Sequence, residues 1–251
     1  MYLSNLTWLQ AKQALNADTV VMVPLGAAAK EHGPHLRLDN DRILADYLAT
    51  RIAQRENVIV APTVNYHFYP AFAAYAGSTS LRLETARDTV IDIVTSLAAF
   101  GPRRFYVLNT GVSTVRALEP AAASLASRGI LMRFTRLDRA GNDAVRRVEQ
   151  QPGGSHADEI ETSMMLYIDP ACVDMTKATN DYHPGNGPLT PDANAPGVYS
   201  PSGVYGDATL ATAEKGRIVV EAMVTDLVKD ISALRACPLP ADTSGEPDRR
   251  G

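Results

Sequence analysis

The sequence predicts an α/β fold in which helices cover both faces of a largely parallel sheet. Three observations predict this fold. Short apolar runs recur along the chain, stretches with helical spacing lie between them, and 251 residues suffice for one large α/β domain or at most two small ones. The alternation follows the order β-α-β-α-β-α-β, which implies parallel strands joined by helices.

Four apolar runs are the predicted strands: VVMVP at 20–24, VIVA at 58–61, FYVL at 105–108 and ILMRF at 130–134. Their continuous apolar character is typical of strands that are buried on both faces. Ligands of such folds bind beyond the carboxyl ends of the strands, so the residues that follow each run are candidates for a site.

Apolar residues at helical spacing predict the helices. They are Leu44, Tyr47, Leu48 and Ile52 in the first stripe, Val90, Ile93, Val94 and Leu97 in the second, and Val220, Val224, Leu227 and Ile231 in the last. Two regions lack periodicity. Residues 176–203 are rich in proline, glycine and asparagine and are predicted to be a long loop, and residues 238–251 are predicted to be a disordered tail.

Composition narrows the function classes. A net charge of −4 argues against a nucleic-acid partner. Neither a secretory signal nor a membrane span is evident, so we expect a cytoplasmic protein without a membrane partner. Cys172 and Cys237 are far apart and have no metal-ligand spacing, which makes a disulfide framework or a thiolate zinc site improbable.

The stretch after the first predicted strand is dense in metal-capable side chains, namely Glu31, His32, His35, Asp39 and Asp41. Mixed histidine and carboxylate ligands suit Zn²⁺ or Mn²⁺, and a turn at Gly33 would let the side chains converge. Structural roles are the alternative. Asp39 or Asp41 can cap the helix that follows, and the histidines can be hydrogen-bonded structural residues.

Four blocks in order resemble the creatininase (creatinine amidohydrolase) family. The first contains Pro24, Gly26, Glu31, His32, Gly33, His35 and Asp41. The others are YAGSTSL at 75–81, SHADEIETSMMLYIDP at 155–170 and GVYGDATLATAEKGR at 203–217. The resemblance implies one creatininase-like domain over residues 1–237 with a three-layer α/β/α sandwich, and a homo-oligomer, usually a hexamer.

The resemblance also implies a metal-dependent hydrolase, often with two divalent ions bridged by a carboxylate. By position, His32 and Asp41 resemble metal ligands, with Asp41 the bridging one and Glu31 a third candidate. His156 resembles a proton donor or acceptor, and Glu161 resembles the glutamate of the family's E-T-S turn. A metal would acidify a bound water and polarise a carbonyl while an imidazole moves the proton to the leaving nitrogen.

Two departures from the family pattern concern the metal ligands. The glutamate usually stands two places before the first histidine, but here that place is taken by Lys30, which could replace one ion by its own charge. After the third strand, the usual ligand positions hold Gly111 and Ser113, and neither residue replaces a histidine or glutamate ligand.

The departures leave several readings open. In the first, one ion is held by Glu31, His32 and Asp41, with His35 or Glu161. In the second, His67 or His183 supplies a replacement ligand, although ordinary hydrogen bonding is the commoner role of such histidines. Lys30, His67 and Ser113 are candidate substrate contacts. Ser113 or Thr114 can equally cap a helix.

We predict a hydrolase with one or two divalent ions per chain, Zn²⁺ or Mn²⁺, that cleaves the C–N bond of a small cyclic amide or formamide-type substrate. Ring-opening C–C hydrolysis of an oxidised cyclitol is the alternative reaction. A catalytically altered binding or assembly protein on the same scaffold is the alternative class.

Overall fold

The computed structural model describes residues 1–243. Its main sheet has four parallel strands in the order β2-β1-β3-β4. The strands are β1 (Val20–Leu25), β2 (Ile59–Val60), β3 (Arg104–Asn109) and β4 (Leu131–Phe134). In the register, Val21 pairs with both Ile59 and Phe105. The predicted α/β class with a mostly parallel sheet is therefore confirmed.

The helices begin with α1 (Trp8–Ala14), α2 (Asn40–Ala53), α3 (Leu83–Ala98) and α4 (Val115–Ala126), and they continue with α5 (Asn142–Val148), α6 (Glu159–Ile168) and α7 (Ala213–Ala236). A two-stranded parallel sheet of β5 (Leu189–Thr190) and β6 (Val198–Tyr199) lies inside the predicted long loop. No helix among residues 1–243 combines the length and the apolar character that a membrane crossing requires.

Both faces of the sheet are buried, which explains the continuous apolar strands. Met22 and Tyr106 on one face pack with α2 and α7, and Val23 and Val107 on the other face pack with α3 and α4. The sheet is thus the middle of three layers, and alternate strand residues belong to different cores.

Part of the tail that was predicted to be disordered is ordered in the structure. Residues 238–243 remain ordered against the end of α4, where Thr243 N–H donates to the carbonyl of Ser127 at 2.8 Å and Arg128 forms a bridge with Asp242. Residues 244–251 lie outside the described part of the chain. The prediction of a single domain over 1–237 stays a prediction.

Candidate active site

The site lies at the carboxyl end of β1, where the chain order of the sheet reverses. The connection that leaves β1 runs to β2 on one side, whereas the connection that leaves the neighbouring β3 runs to β4 on the other side, so a crevice opens between the carboxyl ends of β1 and β3. The loop after β1 fits closely against α2. A Cβ at Gly26 would overlap the backbone carbonyl of Asp41, so only glycine allows this approach.

Lys30, His32 and Asp41 form a buried charged cluster in this crevice. Lys30 Nζ lies 2.7 Å from Asp41 Oδ2, and His32 Nε2 lies 2.9 Å from Asp41 Oδ1. Burial by itself would raise the pKa of Asp41, but the Lys30 ammonium and His32 outweigh burial and hold that pKa well below its usual range. Asp41 is therefore a carboxylate with a positive or potentially positive group at each oxygen.

The second half of the chain brings His156 and Glu161 to the same place. A backbone bridge with Tyr205 holds His156 just before α6, and Glu161 lies in the first turn of that helix. Glu161 Oε2 accepts a hydrogen bond from the backbone N–H of Ala157 at 2.7 Å, and Ala157 has a φ of 49°. The left-handed backbone at Ala157 reverses the chain between the two functional side chains.

His156 lies close to the cluster from the first half of the chain. Its ring centroid is 4.9 Å from that of His32, and its Nε2 is 3.0 Å from Glu31 Oε2. The other oxygen of Glu31 accepts from the backbone N–H of Gly33. Glu31 also abuts Gly203, where a Cβ would overlap the carboxylate and where φ is 80°. The predicted proximity of residue 156 to the Asp41 region is thus present in the structure.

The hydrogen-bond partners of the two imidazoles define where their protons lie. His32 Nδ1 is 2.9 Å from the carbonyl oxygen of Lys30, which can only accept, so Nδ1 carries a proton. Nε2 of the neutral ring then points a lone pair at the Asp41 carboxylate. His156 behaves alike, since Nε2 donates to Glu31 and Nδ1 faces Glu161 Oε2 at 3.7 Å. The short contact between His32 Nε2 and Asp41 Oδ1 therefore calls for a cation or a second proton, whereas His156 Nδ1 is too far from Glu161 Oε2 for a hydrogen bond.

This donor set fits one divalent ion. The ligand atoms of His32, His156 and Glu161 all lie within 4.8 Å of one another. In each imidazole the other nitrogen is already held by an oxygen acceptor, as is usual for histidines that bind a metal. The three carboxylates Glu31, Asp41 and Glu161 and the single ammonium of Lys30 leave a formal charge that one divalent cation balances.

A second ion does not fit beside the first. Asp41 Oδ2, the oxygen opposite His32, is taken by the Lys30 ammonium. Gly111 has no side chain, and the Thr114 hydroxyl lies 2.7 Å from two acceptors, Asn109 Oδ1 and the Gly111 carbonyl. The loop after β3 thus has no imidazole or carboxylate to offer, as the sequence predicted.

The cluster opens into a cavity of about 610 Å³. Lys30, His156, Glu161 and Ser113 line it together with Tyr69, and much of the wall is apolar: Phe72, Leu137, Val145, Ile160, Met164 and Val219. Phe72 is close to both His156 and Lys30, since its ring centroid is 4.1 Å from that of His156 and 4.8 Å from Lys30 Nζ. Sequence reasoning missed Phe72, and an aromatic residue in a loop gave little signal.

Three predicted histidines are not part of this donor set, although His35 lies near enough to interact with the charges of Glu31 and Glu161. His67 is fully buried and is not part of the cavity wall, so the expectation of a substrate contact or replacement ligand is not met. Burial lowers the pKa of His67 to about 4 and that of His35 to about 4. His35 Nε2 pairs with the Thr162 hydroxyl at 2.8 Å, and exposed His183 pairs with Asp181.

Glu31 also differs from its expected role. Both of its oxygens are engaged, one by His156 Nε2 and one by Gly33 N–H. Its side chain therefore holds His156 and the loop backbone, while the loop turns Lys30 and not Glu31 toward Asp41.

Comparisons with known proteins agree with this architecture. The family model described as creatinine amidohydrolase matches residues 4–231. A mycofactocin precursor peptide peptidase of Mycobacterium ulcerans is 31% identical over 227 residues, with 84% of each chain covered. A creatinine amidohydrolase of Pseudomonas putida is 27% identical and covers 92% of this chain and 96% of its own. A 3-dehydro-scyllo-inosose hydrolase of Thermotoga maritima is 26% identical, with 92% of this chain and 83% of its own covered.

Solved structures show the same fold. A crystal structure of creatinine amidohydrolase (creatininase) superposes with a TM-score of 0.79 at 25% identity and covers 94% of this chain and 98% of its own. Other creatininase structures of 25% identity are described as a manganese form and as a Zn-Zn type, with TM-scores of 0.78 and 0.76; each covers 92% of this chain and 97% of its own.

Proposed function

The chain belongs to the creatininase family and is a hydrolase, and from this membership we propose that it uses one divalent cation, Zn²⁺ or Mn²⁺, to cleave the C–N bond of a small cyclic amide or formamide-type substrate. The observation that carries the proposal is the donor set of His32, His156 and Glu161, of which His156 and Glu161 line the cavity. His32 and His156 each aim a lone pair at a carboxylate, and the oxygen of Glu161 lies beside both.

The proposed ligands are His32 Nε2, His156 Nδ1 and Glu161. A bound cation would supply an acidified water and a Lewis acid for the carbonyl. Glu31 holds the His156 ring in the tautomer that leaves Nδ1 free, and the Lys30 carbonyl does the same for His32. His156 is thus assigned to the ion, in place of the proton-carrying role that the sequence suggested.

Lys30 and Ser113 are proposed to contact the substrate. The Lys30 ammonium pairs with Asp41 at 2.7 Å, and Lys30 also lines the cavity, where an ammonium with three N–H donors could bind a substrate oxygen. The Tyr69 hydroxyl is buried without a hydrogen-bond partner among the described residues, and the Tyr69 side chain belongs to the same wall. A substrate carbonyl or amide group would satisfy these donors.

The cavity wall favours an amide over a cyclitol. Apolar side chains such as Phe72, Ile160 and Met164 offer no hydrogen bonds to the hydroxyl groups of a cyclitol ring. The relatives named as an amidohydrolase and a peptidase support the amide, and the relative named as an inosose hydrolase supports the cyclitol as the alternative.

Metal analysis combined with turnover tests the proposal. Purified protein would be stripped with a chelator, reloaded with Mn²⁺ or Zn²⁺, and assayed on small lactams, formamides and oxidised cyclitols. We expect about one ion per chain and amide cleavage that disappears in the stripped protein and in His32→Ala. His183→Ala is the matched control, because its side chain is 62% exposed and pairs with Asp181. Full activity in the stripped protein would contradict the proposal.

The hexamer that the resemblance implies stays a prediction, and light scattering tests it.

A further inference from the structure

We propose that the Lys30 ammonium permanently fills a second cation position of this site, so that Asp41 is paired with a positive charge that belongs to the chain and only one exchangeable metal ion would be held, by His32, His156 and Glu161. The inference deepens the proposed function, on which it rests for the exchangeable ion. It changes the expected electrostatics of the site, because one of the two positive centres carries a single charge and cannot be removed by a chelator.

Both oxygens of Asp41 are in contact with nitrogen atoms of the cluster. Oδ2 is 2.7 Å from Lys30 Nζ, and Oδ1 is 2.9 Å from His32 Nε2, whose lone pair needs a cation. Asp41 is 1% exposed and Lys30 is 4% exposed, so water compensates neither charge. With the Lys30 ammonium at one oxygen and the His32 imidazole at the other, neither oxygen of Asp41 is left for a second ion.

Lys30 is held in this place by its backbone and by its surroundings. Its N–H donates to the Leu38 carbonyl at 3.0 Å, and the preceding carbonyl, of Ala29, accepts from Thr79 N–H at 3.0 Å. Its ammonium lies over the rings of Phe72 and Tyr69, at 4.8 and 5.8 Å from their centroids. Cation–π contacts of this kind further favour a charged lysine inside the cavity wall.

The loop after β3 also lacks ligands for a second ion. Any ion at Oδ2 would need further donors, and this loop presents Gly111 and Ser113 on the cavity wall. A glycine and a neutral hydroxyl are weak substitutes for the imidazole and carboxylate ligands that divalent ions prefer. An ammonium needs no such ligand set, because its charge is covalently attached and one short contact with Asp41 is enough to pair it.

Titration of the chelator-stripped protein with Mn²⁺ tests the inference through binding alone. Calorimetry would measure the number of ions and their affinity, and electron paramagnetic resonance would separate an isolated Mn²⁺ from a coupled pair. The variants are Lys30→Gln and Lys30→Glu. Lys12→Gln and Lys12→Glu on α1, where the side chain is exposed, are the matched controls. Circular dichroism would verify that each variant is folded.

We expect one isolated Mn²⁺ per wild-type chain. Lys30→Gln should bind Mn²⁺ about tenfold more tightly or better, because it removes a positive charge next to the ion and releases Asp41. Lys30→Glu should bind a second ion, and the Lys12 variants should match the wild type. A lysine that merely braced the loop would have the opposite effect, since its loss would loosen the remaining site.

The outcomes separate this inference from the proposed function. Two ions or a coupled spectrum in the wild type would overturn the role of Lys30 and leave metal use intact. No ion in the wild type, with ions gained by the Lys30 variants, would support the role of Lys30 and overturn metal use. Unchanged or weaker binding by folded Lys30→Gln would overturn the inference even where Lys30→Glu fails to fold.

Discussion

Replacing Glu31 by glutamine is expected to lower the affinity of the site for Mn²⁺ although Glu31 does not face the proposed ion. Its two oxygens accept hydrogen bonds from Gly33 N–H and from His156 Nε2 at 3.0 Å. A glutamine has one acceptor oxygen and one NH₂ group, so it cannot satisfy both donors. If its oxygen stays with Gly33, its NH₂ group donates to His156 Nε2.

The resulting change of tautomer sets the magnitude. His156 would accept at Nε2 and carry its proton at Nδ1, the nitrogen that faces Glu161 Oε2 at 3.7 Å, and the lone pair proposed to bind the ion would be lost. Loss of a supporting partner of a metal-bound histidine typically costs about 10- to 100-fold in affinity. That range corresponds to about 1.4–2.8 kcal/mol of binding free energy.

Calorimetric titration of the stripped protein with Mn²⁺ measures this effect directly. Glu84→Gln on the exposed side of α3 removes the same charge at a distance and serves as the control. We expect a weaker dissociation constant for Glu31→Gln and a wild-type constant for Glu84→Gln. Wild-type affinity in a folded Glu31→Gln variant would refute the reasoning, because it would mean that His156 needs no carboxylate to bind the ion.

Three further predictions concern stability. His67 is buried with its pKa lowered to about 4, so the unfolded chain takes up a proton near pH 6.5 before the folded chain does. The stability that His67 contributes is therefore complete above about pH 6.5 and falls toward pH 4 by up to about 3 kcal/mol. Urea unfolding at several pH values should show that His67→Phe loses less unfolding free energy on acidification than the wild type. An equal loss in both proteins would exclude His67 as the cause. A Cβ at Gly216 would overlap the Ser163 carbonyl where α6 crosses α7, so Gly216→Ala should lower the unfolding free energy by about 1–3 kcal/mol, and an unchanged urea midpoint would contradict that packing. Tyr69→Phe removes a buried hydroxyl without a partner among the described residues, so thermal melting should show equal or higher stability, by about 1 kcal/mol, whereas a clear loss would reveal a hydrogen bond of that hydroxyl.

The neighbouring residues Lys30 and Glu31 show where sequence reasoning about the site ended. Their order relative to His32 was visible in the sequence, and so was the possibility that Lys30 supplies a charge. Which of the two side chains meets Asp41 depends on the rotation of the loop, and that rotation is set by backbone hydrogen bonds to distant segments, such as Ala29 to Thr79.

His67 is a second residue whose position the sequence could not decide. It stood where the family's turn usually has a glycine and was a candidate ligand or substrate contact, but the structure packs it near Tyr69, with ring centroids 6.4 Å apart, and His67 itself does not line the cavity. A histidine in a loop carries no periodic signal that would separate burial from function.

By itself, the sequence determined the class of fold, the four strands of the sheet and the identity of His32, Asp41, His156 and Glu161 as the residues to examine. The fold class and the strands follow from local patterns, since apolar runs and helical spacing act over a few neighbouring residues. The four site residues were identified by their resemblance to the motifs of the creatininase family. Only the tertiary structure decided that Glu31 supports His156 across 125 positions of sequence and that Lys30 pairs with Asp41. Such contacts depend on where the loops end in space, and the pairing of distant segments sets that position.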